Sequence, residues 1–205
     1  MGKIKYLKKV REFFRKTPIV TISSLKKIIK KDNGYIYLML NNMVCSGEIY
    51  RITRGMYSIY NDPVISVFCF KPSYLGLQEA LSVHNLWEQE TNTVILTTKT
   101  VREGIRVVFD NNIIIRRIKS KYFFGFEYKK YGDFYVPVSD IEKTLIDLVY
   151  FCQPLDREVV HNFRTKLNMK KLQIYIKRYD SSTAEKVLAV INGKQKHILR
   201  KSKLK

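Results

Sequence analysis

The strongest constraint on the fold is the order of helix, turn and strand signals packed into the first sixty residues. From Ile4 to Phe14, apolar residues at Ile4, Leu7, Val10, Phe13 and Phe14 make one helical face, with Lys5, Lys8, Lys9, Arg11 and Arg15 mostly off it. Pro18 blocks continuation, and the "IVTI" that follows allows a short extended stretch. Ser23 or Ser24 is placed to cap a second helix that turns Leu25, Ile28 and Ile29 inward and Lys26, Lys27, Lys30 and Lys31 outward. Asp32–Gly34 reads as a tight turn. A third helix is predicted from about Tyr35 to Cys45, with Ile36, Leu40, Met43 and Val44 inward. Tyr37 and Asn41 sit four apart on its opposite face, with Tyr35 and Asn42 nearby. Gly47 then stops the helix. "EIYRITRGMYSIY", residues 48–60, alternates bulky apolar and polar residues on either side of Arg54-Gly55. It reads as a hairpin with a cationic tip, and Ile49, Ile52 and Tyr57 are its candidates for the buried side.

Helix, short strand, helix, tight turn, helix, hairpin is the order of a winged helix-turn-helix. In that arrangement the third helix enters the major groove and the hairpin lies along the backbone or minor groove. Gly55 suits the positive φ of a tight tip, and an arginine there suits the negative potential of a narrow minor groove. Asn41 and Asn42 have the amide geometry to pair with adenine, while Tyr35 and Tyr37 can meet phosphate or a thymine methyl. Lys26, Lys27, Lys30, Lys31 and Arg51 would hold phosphates and set register, with Arg54 the arginine of the wing tip. Each piece taken singly also fits an ordinary solvated surface, and some winged helices bind only proteins.

Charge favours the nucleic-acid reading. Lys and Arg total 38 against 18 Asp and Glu, a net +20 that suits a polyanion. The excess is +9 over residues 1–62 and +11 over the rest, so charge does not confine nucleic acid to the first part. No apolar run approaches a membrane-spanning length, and no apolar signal core follows the basic N-terminus. Cys45, Cys69 and Cys152 show no metal spacing and are read as small buried residues of a reducing cytoplasm. The chain is therefore expected to be cytoplasmic, with no membrane partner.

Asn61–Pro63 marks a plausible boundary between a DNA-binding domain, 1–62, and a second domain, 63–205. Residues 74–87 look helical. "TVILTT" (93–98), "IRVVF" (105–109), "NIIIRRI" (112–118) and "DFYVPV" (133–138) look like strands, with a turn at Asp110-Asn111-Asn112. Ser139 would cap a helix in "DIEKTLIDLVYF", and helical patterns fill about 156–167, 169–179 and 182–192. The tail from Lys194 is basic and acid-free. The expected class is α+β: a winged helix-turn-helix followed by a mixed α/β domain with C-terminal helices.

"RGMYSIY", then "EALSVHNLWEQ" (79–89), "TVILTT", "KYFFGFE" (121–127) and "VPVSDIEKTLIDLVYF" (136–151) resemble, in order and spacing, the AbiEi family. These are the antitoxin and transcriptional-regulator components of AbiE abortive-infection (type IV) toxin–antitoxin systems. The resemblance spans about residues 5–152. Family members usually have glycine where this chain has Asn85, a residue that tolerates the left-handed conformation, and a proline where it has Ile141. The resemblance implies a winged-helix domain joined to an antitoxin domain, and repression of the chain's own operon through inverted repeats in double-stranded DNA, with a dimer on two half-sites a reasonable geometry. It also implies neutralisation of a nucleotidyltransferase-like toxin without a stable complex.

No active site is expected. His84, His161 and His197 lack ligand spacing, and no phosphate-binding Gly loop, nucleophile elbow or nucleotidyltransferase signature occurs. No cofactor or metal is expected. Asp110 followed by Glu127-Tyr128-Lys129 matches the spacing of PD-(D/E)xK nucleases, so a Mg²⁺-dependent nuclease with a winged-helix targeting domain is one alternative, and a non-specific basic nucleic-acid binder another. Glu142 and Asp147 are expected on the solvated side of their helix.

Overall fold

A computed structural model describes residues 2–89 and 91–193. The basic tail from Lys194, with His197, lies outside the described residues, as do the side chains of Ile4 and Lys5. The protein is α+β, and its chain divides into two compact units: residues 1–71 with 106–112, and residues 72–105 with 113–205.

The first unit begins with α1 (Gly2–Lys16), β1 (Val20–Thr21), α2 (Ile22–Ile29), α3 (Asn33–Cys45), β2 (Tyr50–Thr53) and β3 (Met56–Ser58). The strands form one sheet in the order β1-β3-β2, antiparallel throughout. Val20 pairs with Tyr57 and Tyr50 with Ser58; an irregularity between Arg51 and Thr53 leaves Ile52 out of register. The core is the inner stripe of each helix closed by the sheet: Val10 and Phe14 of α1, Leu25 and Ile29 of α2, Ile36, Leu40 and Met43 of α3, with Ile49 and Tyr57 beneath. Ile52 is buried as well. Each such side chain contributes about 1.5–3 kcal/mol by leaving water.

Local chemistry moves three expected boundaries. Thr21, not Ser23 or Ser24, caps α2: its hydroxyl accepts from Ser24 N while Ser24 Oγ accepts from Thr21 N at 3.1 Å, a reciprocal capping box. Lys30 takes the left-handed conformation (φ 49°) and ends α2. Asp32 then caps α3 by accepting from Tyr35 N at 2.8 Å, so Asn33 and Gly34 belong to the helix rather than to a turn over 32–34. Gly47 (φ 71°) follows the C-terminus of α3 as expected. After the hairpin, Asp62 caps an apolar 3-10 stretch, Pro63–Phe70, whose residues are mostly buried. Cys69 is buried there, but Cys45 and Cys152 are exposed, against the expectation of three buried thiols.

The second unit is built on a mixed sheet in the order β6-β7-β5-β4-β9-β8, of which residues 106–112, most of β6 and the start of β7, count with the first unit. Its strands are β4 (Ser73–Leu75), β5 (Thr93–Thr97), β6 (Gly104–Val108), β7 (Asn111–Arg117), β8 (Phe126–Tyr131) and β9 (Phe134–Ser139). β4 is antiparallel to β5 and parallel to β9; β5 is parallel to β7. The helices are α4 (Leu77–Val83), α5 (Ile141–Tyr150), α6 (Arg157–Lys166), α7 (Met169–Ile176) and α8 (Ser181–Ile191). Residues 74–87 are thus not one helix. Tyr74 and Leu75 pair as a strand, and α4 starts only after Gly76, where a Cβ would lie 2.7 Å from Leu96 Cδ1. The β6–β7 turn is made by Phe109 and Asp110, both at positive φ (52° and 60°), rather than by residues 110–112. Asn111 Nδ2 donates to Phe109 O at 2.7 Å and fixes this turn. Asp140, not Ser139, caps α5, accepting from Lys143 N at 2.8 Å. Asn85 does adopt the left-handed conformation, φ 52°.

Candidate nucleic-acid interface

The ten residues singled out from the sequence all lie in the first unit. Lys26, Lys27, Lys30, Lys31, Tyr37, Asn41, Asn42, Arg51 and Arg54 are exposed. Tyr35 differs: it is half-buried and packs against the core, which leaves less of it free for a ligand. The lysines occupy the outer side of α2 and the turn before α3. Lys31 Nζ sits 5.7 Å from the centre of the Tyr6 ring, a cation–π distance. Arg54-Gly55 forms the two-residue tip between β2 and β3, with Gly55 at φ 76°. Ile22 N donates to Gly55 O at 3.3 Å, so the tip is tied to the first residue of α2.

Inward residues at 36, 39, 40 and 43 set the facing of α3. The opposite side then presents Tyr37, Leu38, Asn41, Asn42 and Cys45. Leu38 is the most exposed of the large apolar residues here, at 62%, with Tyr37 at 47%. Sequence reading passed over Leu38 as one more apolar residue of an apolar helix. The signal was there: Leu38 is two residues from both Ile36 and Leu40, so it cannot share their face. No residue of α3 carries a charge.

Arg11 of α1 donates Nε and Nη2 to the two carboxylate oxygens of Glu48 at 2.7 and 2.8 Å, closing α1 onto the residue just before Ile49. This hydrogen bond holds the Glu48 carboxyl below its ordinary value and raises the Arg11 guanidinium. Between α1 and α3 runs a groove of about 340 Å³, lined by Leu7, Arg11, Leu38, Met39, Asn42 and Glu48 among others.

The second unit holds a polar cluster that sequence reading missed. Glu142 and Asp147 are not solvated: α5 is buried from Glu142 to Val149. Lys143 ion-pairs with Asp147 one turn on, and both side chains are fully buried. Tyr74 hydroxyl donates to Asp147 Oδ2 and lies within hydrogen-bonding distance of Lys143 Nζ, both at 2.9 Å. Tyr179 hydroxyl reaches Asp147 Oδ1 at 3.5 Å. The rings of Tyr74, Phe124 and Tyr179 surround the ammonium at 5.4, 5.4 and 5.8 Å. Burial pushes Lys143 down and Asp147 up, each opposed by the other's charge. Nearby, Lys171 of α7 bridges Asp140 and Glu142 at 3.1 and 3.0 Å, and Tyr175 hydroxyl donates to Asp140 at 2.8 Å. Burial and that bond push the Tyr175 phenol up to about 12.

Of the nuclease pattern, Glu127 and Lys129 pair with each other at 2.8 Å on β8, and Asp110 occupies the β6–β7 turn. Among the described residues no three His, Cys, Asp or Glu side chains are grouped to hold a metal. His84 caps the C-terminus of α4, with Nε2 2.7 Å from Ser139 O. No helix among the described residues is long and apolar enough to cross a membrane.

No family model matches the chain, and no curated protein does. Its fold is similar to that of the RV2827C protein from Mycobacterium tuberculosis in its crystal structure, with a TM-score of 0.58 over 92% of this chain and 76% of that one, at 9% identity. At that identity the likeness is one of fold.

Proposed function

We propose that the chain is a DNA-binding transcriptional repressor and antitoxin of the AbiEi type, acting on an inverted-repeat operator of its own operon. The carrying observation is the surface of the first unit: an uncharged polar face on α3, with exposed lysines on the preceding helix and an exposed arginine at a tip tied to that helix. In this reading α2 and α3 are a helix-turn-helix joined through Lys30–Asp32, and the β2–β3 hairpin is the wing. α3 lies in the major groove. Lys26, Lys27, Lys30, Lys31 and Arg51 neutralise phosphates and fix register, while Arg54 enters the adjoining minor groove.

The antitoxin role rests on the sequence resemblance. Its segments supply much of the second unit: residues 79–89 run through α4, 93–98 are β5, and 136–151 join β9 to α5 with its buried Lys143–Asp147 pair. The reading places the toxin-neutralising function in that unit and requires no stable complex with the toxin.

The test is genetic. The chain should silence a reporter driven by its own upstream region and should rescue growth arrested by the product of the adjoining reading frame. Arg54→Ala should relieve repression while rescue persists. Retained repression in that variant would remove the wing from the interface, and absence of rescue by the wild-type chain would remove the antitoxin role.

A further inference from the structure

We propose that α3 reads A·T base pairs, with Leu38 seated against thymine methyl groups and Asn41 or Asn42 paired with adenine, and that it makes no guanine contact. The inference rests on the DNA-binding reading and gives it a target chemistry.

The exposed face of α3 lacks any guanine-reading cation. Guanine offers two acceptors, O6 and N7, in the major groove, and side chains read them with the paired donors of arginine or with lysine. In a chain with 38 Lys and Arg, none falls on α3. The cations of this unit are on α1, α2, the following turn, β2 and the hairpin tip, with Lys71 and Arg106 the other two. That distribution complements a duplex, with cations toward the phosphate rails and an uncharged strip toward the floor of the groove.

What the face offers is equally selective. Asparagine presents one donor and one acceptor side by side, matching adenine N7 and N6. Leu38, at the α1–α3 groove, is left 62% exposed among the described residues. The thymine methyl is the one apolar group in the major groove, and it lies beside the adenine partner's edge. Leu38 and Asn42 are four residues apart, as are Tyr37 and Asn41, so each column places an apolar or aromatic group one turn before an amide. Adjacent A·T pairs would engage both members of a column.

The experiment uses the full chain and a random-sequence duplex library. Selection should enrich sites whose core is A·T, flanked symmetrically if two copies bind. The selected duplex is then remade with deoxyuridine in place of every thymine, which removes only the methyls. Wild-type affinity should fall about fourfold for each methyl in contact. Leu38→Ala should bind the thymine duplex more weakly and lose at least one methyl's share, about fourfold, of the sensitivity, whereas Leu38→Met should keep it. Because Leu38 is solvent-facing, thermal unfolding of both variants should match wild type. An enriched site with an obligatory guanine, or a wild-type affinity untouched by deoxyuridine, would overturn the inference while leaving DNA binding in place. No enrichment at all would overturn both. A Leu38→Ala chain with full DNA affinity but altered self-association would make this face a contact between copies, and the inference would be wrong.

Discussion

Lys143→Met is the substitution whose cost follows most directly from the geometry. It keeps the side-chain volume but leaves Asp147 as a lone carboxylate, fully buried and held only by Tyr74 hydroxyl at 2.9 Å and Tyr179 hydroxyl at 3.5 Å. Two neutral donors contribute on the order of 1 kcal/mol each, against a desolvation penalty of several kcal/mol for a buried ion. Loss of one partner should therefore cost about 3–5 kcal/mol. Urea unfolding reads this through Trp87, the chain's sole tryptophan, which packs against the core of the second unit. With a slope of about 2–3 kcal/mol per molar, the midpoint should fall by roughly 1–2 M. Tyr74→Phe/Lys143→Met/Asp147→Leu removes the ion pair and the Tyr74 hydroxyl, leaving only the Tyr179 hydroxyl of the set, and should recover most of the loss, to within about 1–2 kcal/mol of wild type. A single substitution costing under about 1 kcal/mol, or a triple variant as unstable as the single, would refute the reasoning.

Two further outcomes test the packing and the ion pairs. Gly125→Ala adds a Cβ 2.8 Å from Tyr175 Cε2 and 3.1 Å from Lys143 Cβ at φ +68°, and should cost about 1–3 kcal/mol in the same assay. For Glu48, whose carboxyl Arg11 holds below the ordinary 4.5, the pairing stabilises the fold above the unfolded value and is lost as pH falls through the folded one. The melting-temperature gap between wild type and Glu48→Gln should therefore be present at neutral pH and close on acidification; a gap that persists in acid would show that the charge of Glu48 contributes nothing.

Much of the first unit was legible because its signals are local. Helix periodicity, Pro18, Gly47 and the Arg54-Gly55 tip each act within a few residues, and spacing alone turned Ile36, Leu40 and Met43 of α3 inward, though it missed buried Met39 and took half-buried Val44 in its place. The errors there are of one to three residues, where two adequate caps compete, as at Thr21 against Ser23 and Ser24. The second unit was less legible because its elements depend on distant partners. Tyr74 and Leu75 become a strand through β5 and β9, and "FEYKKY" becomes one only because an edge position beside β9 tolerates its lysines. Glu142, Lys143 and Asp147 carry the signature of a solvated helix face. Their burial requires Tyr74 from β4 and Asn168 and Lys171 from the start of α7, which no window around α5 contains. Leu38 is the reverse case, an apolar residue whose exposure follows from the helix geometry once its neighbours' facing is known.

Whether the first unit grips duplex DNA through α3 is measured by fluorescence anisotropy of the full chain on its own upstream region against a shuffled duplex, across a salt series. A preference of about 10³-fold or more for the upstream inverted repeat is expected. A steep fall of affinity with salt is also expected, with a slope that shrinks by about 0.9 in Arg51→Ala. Equal affinity for the two duplexes, or binding with no dependence on salt, would contradict that grip.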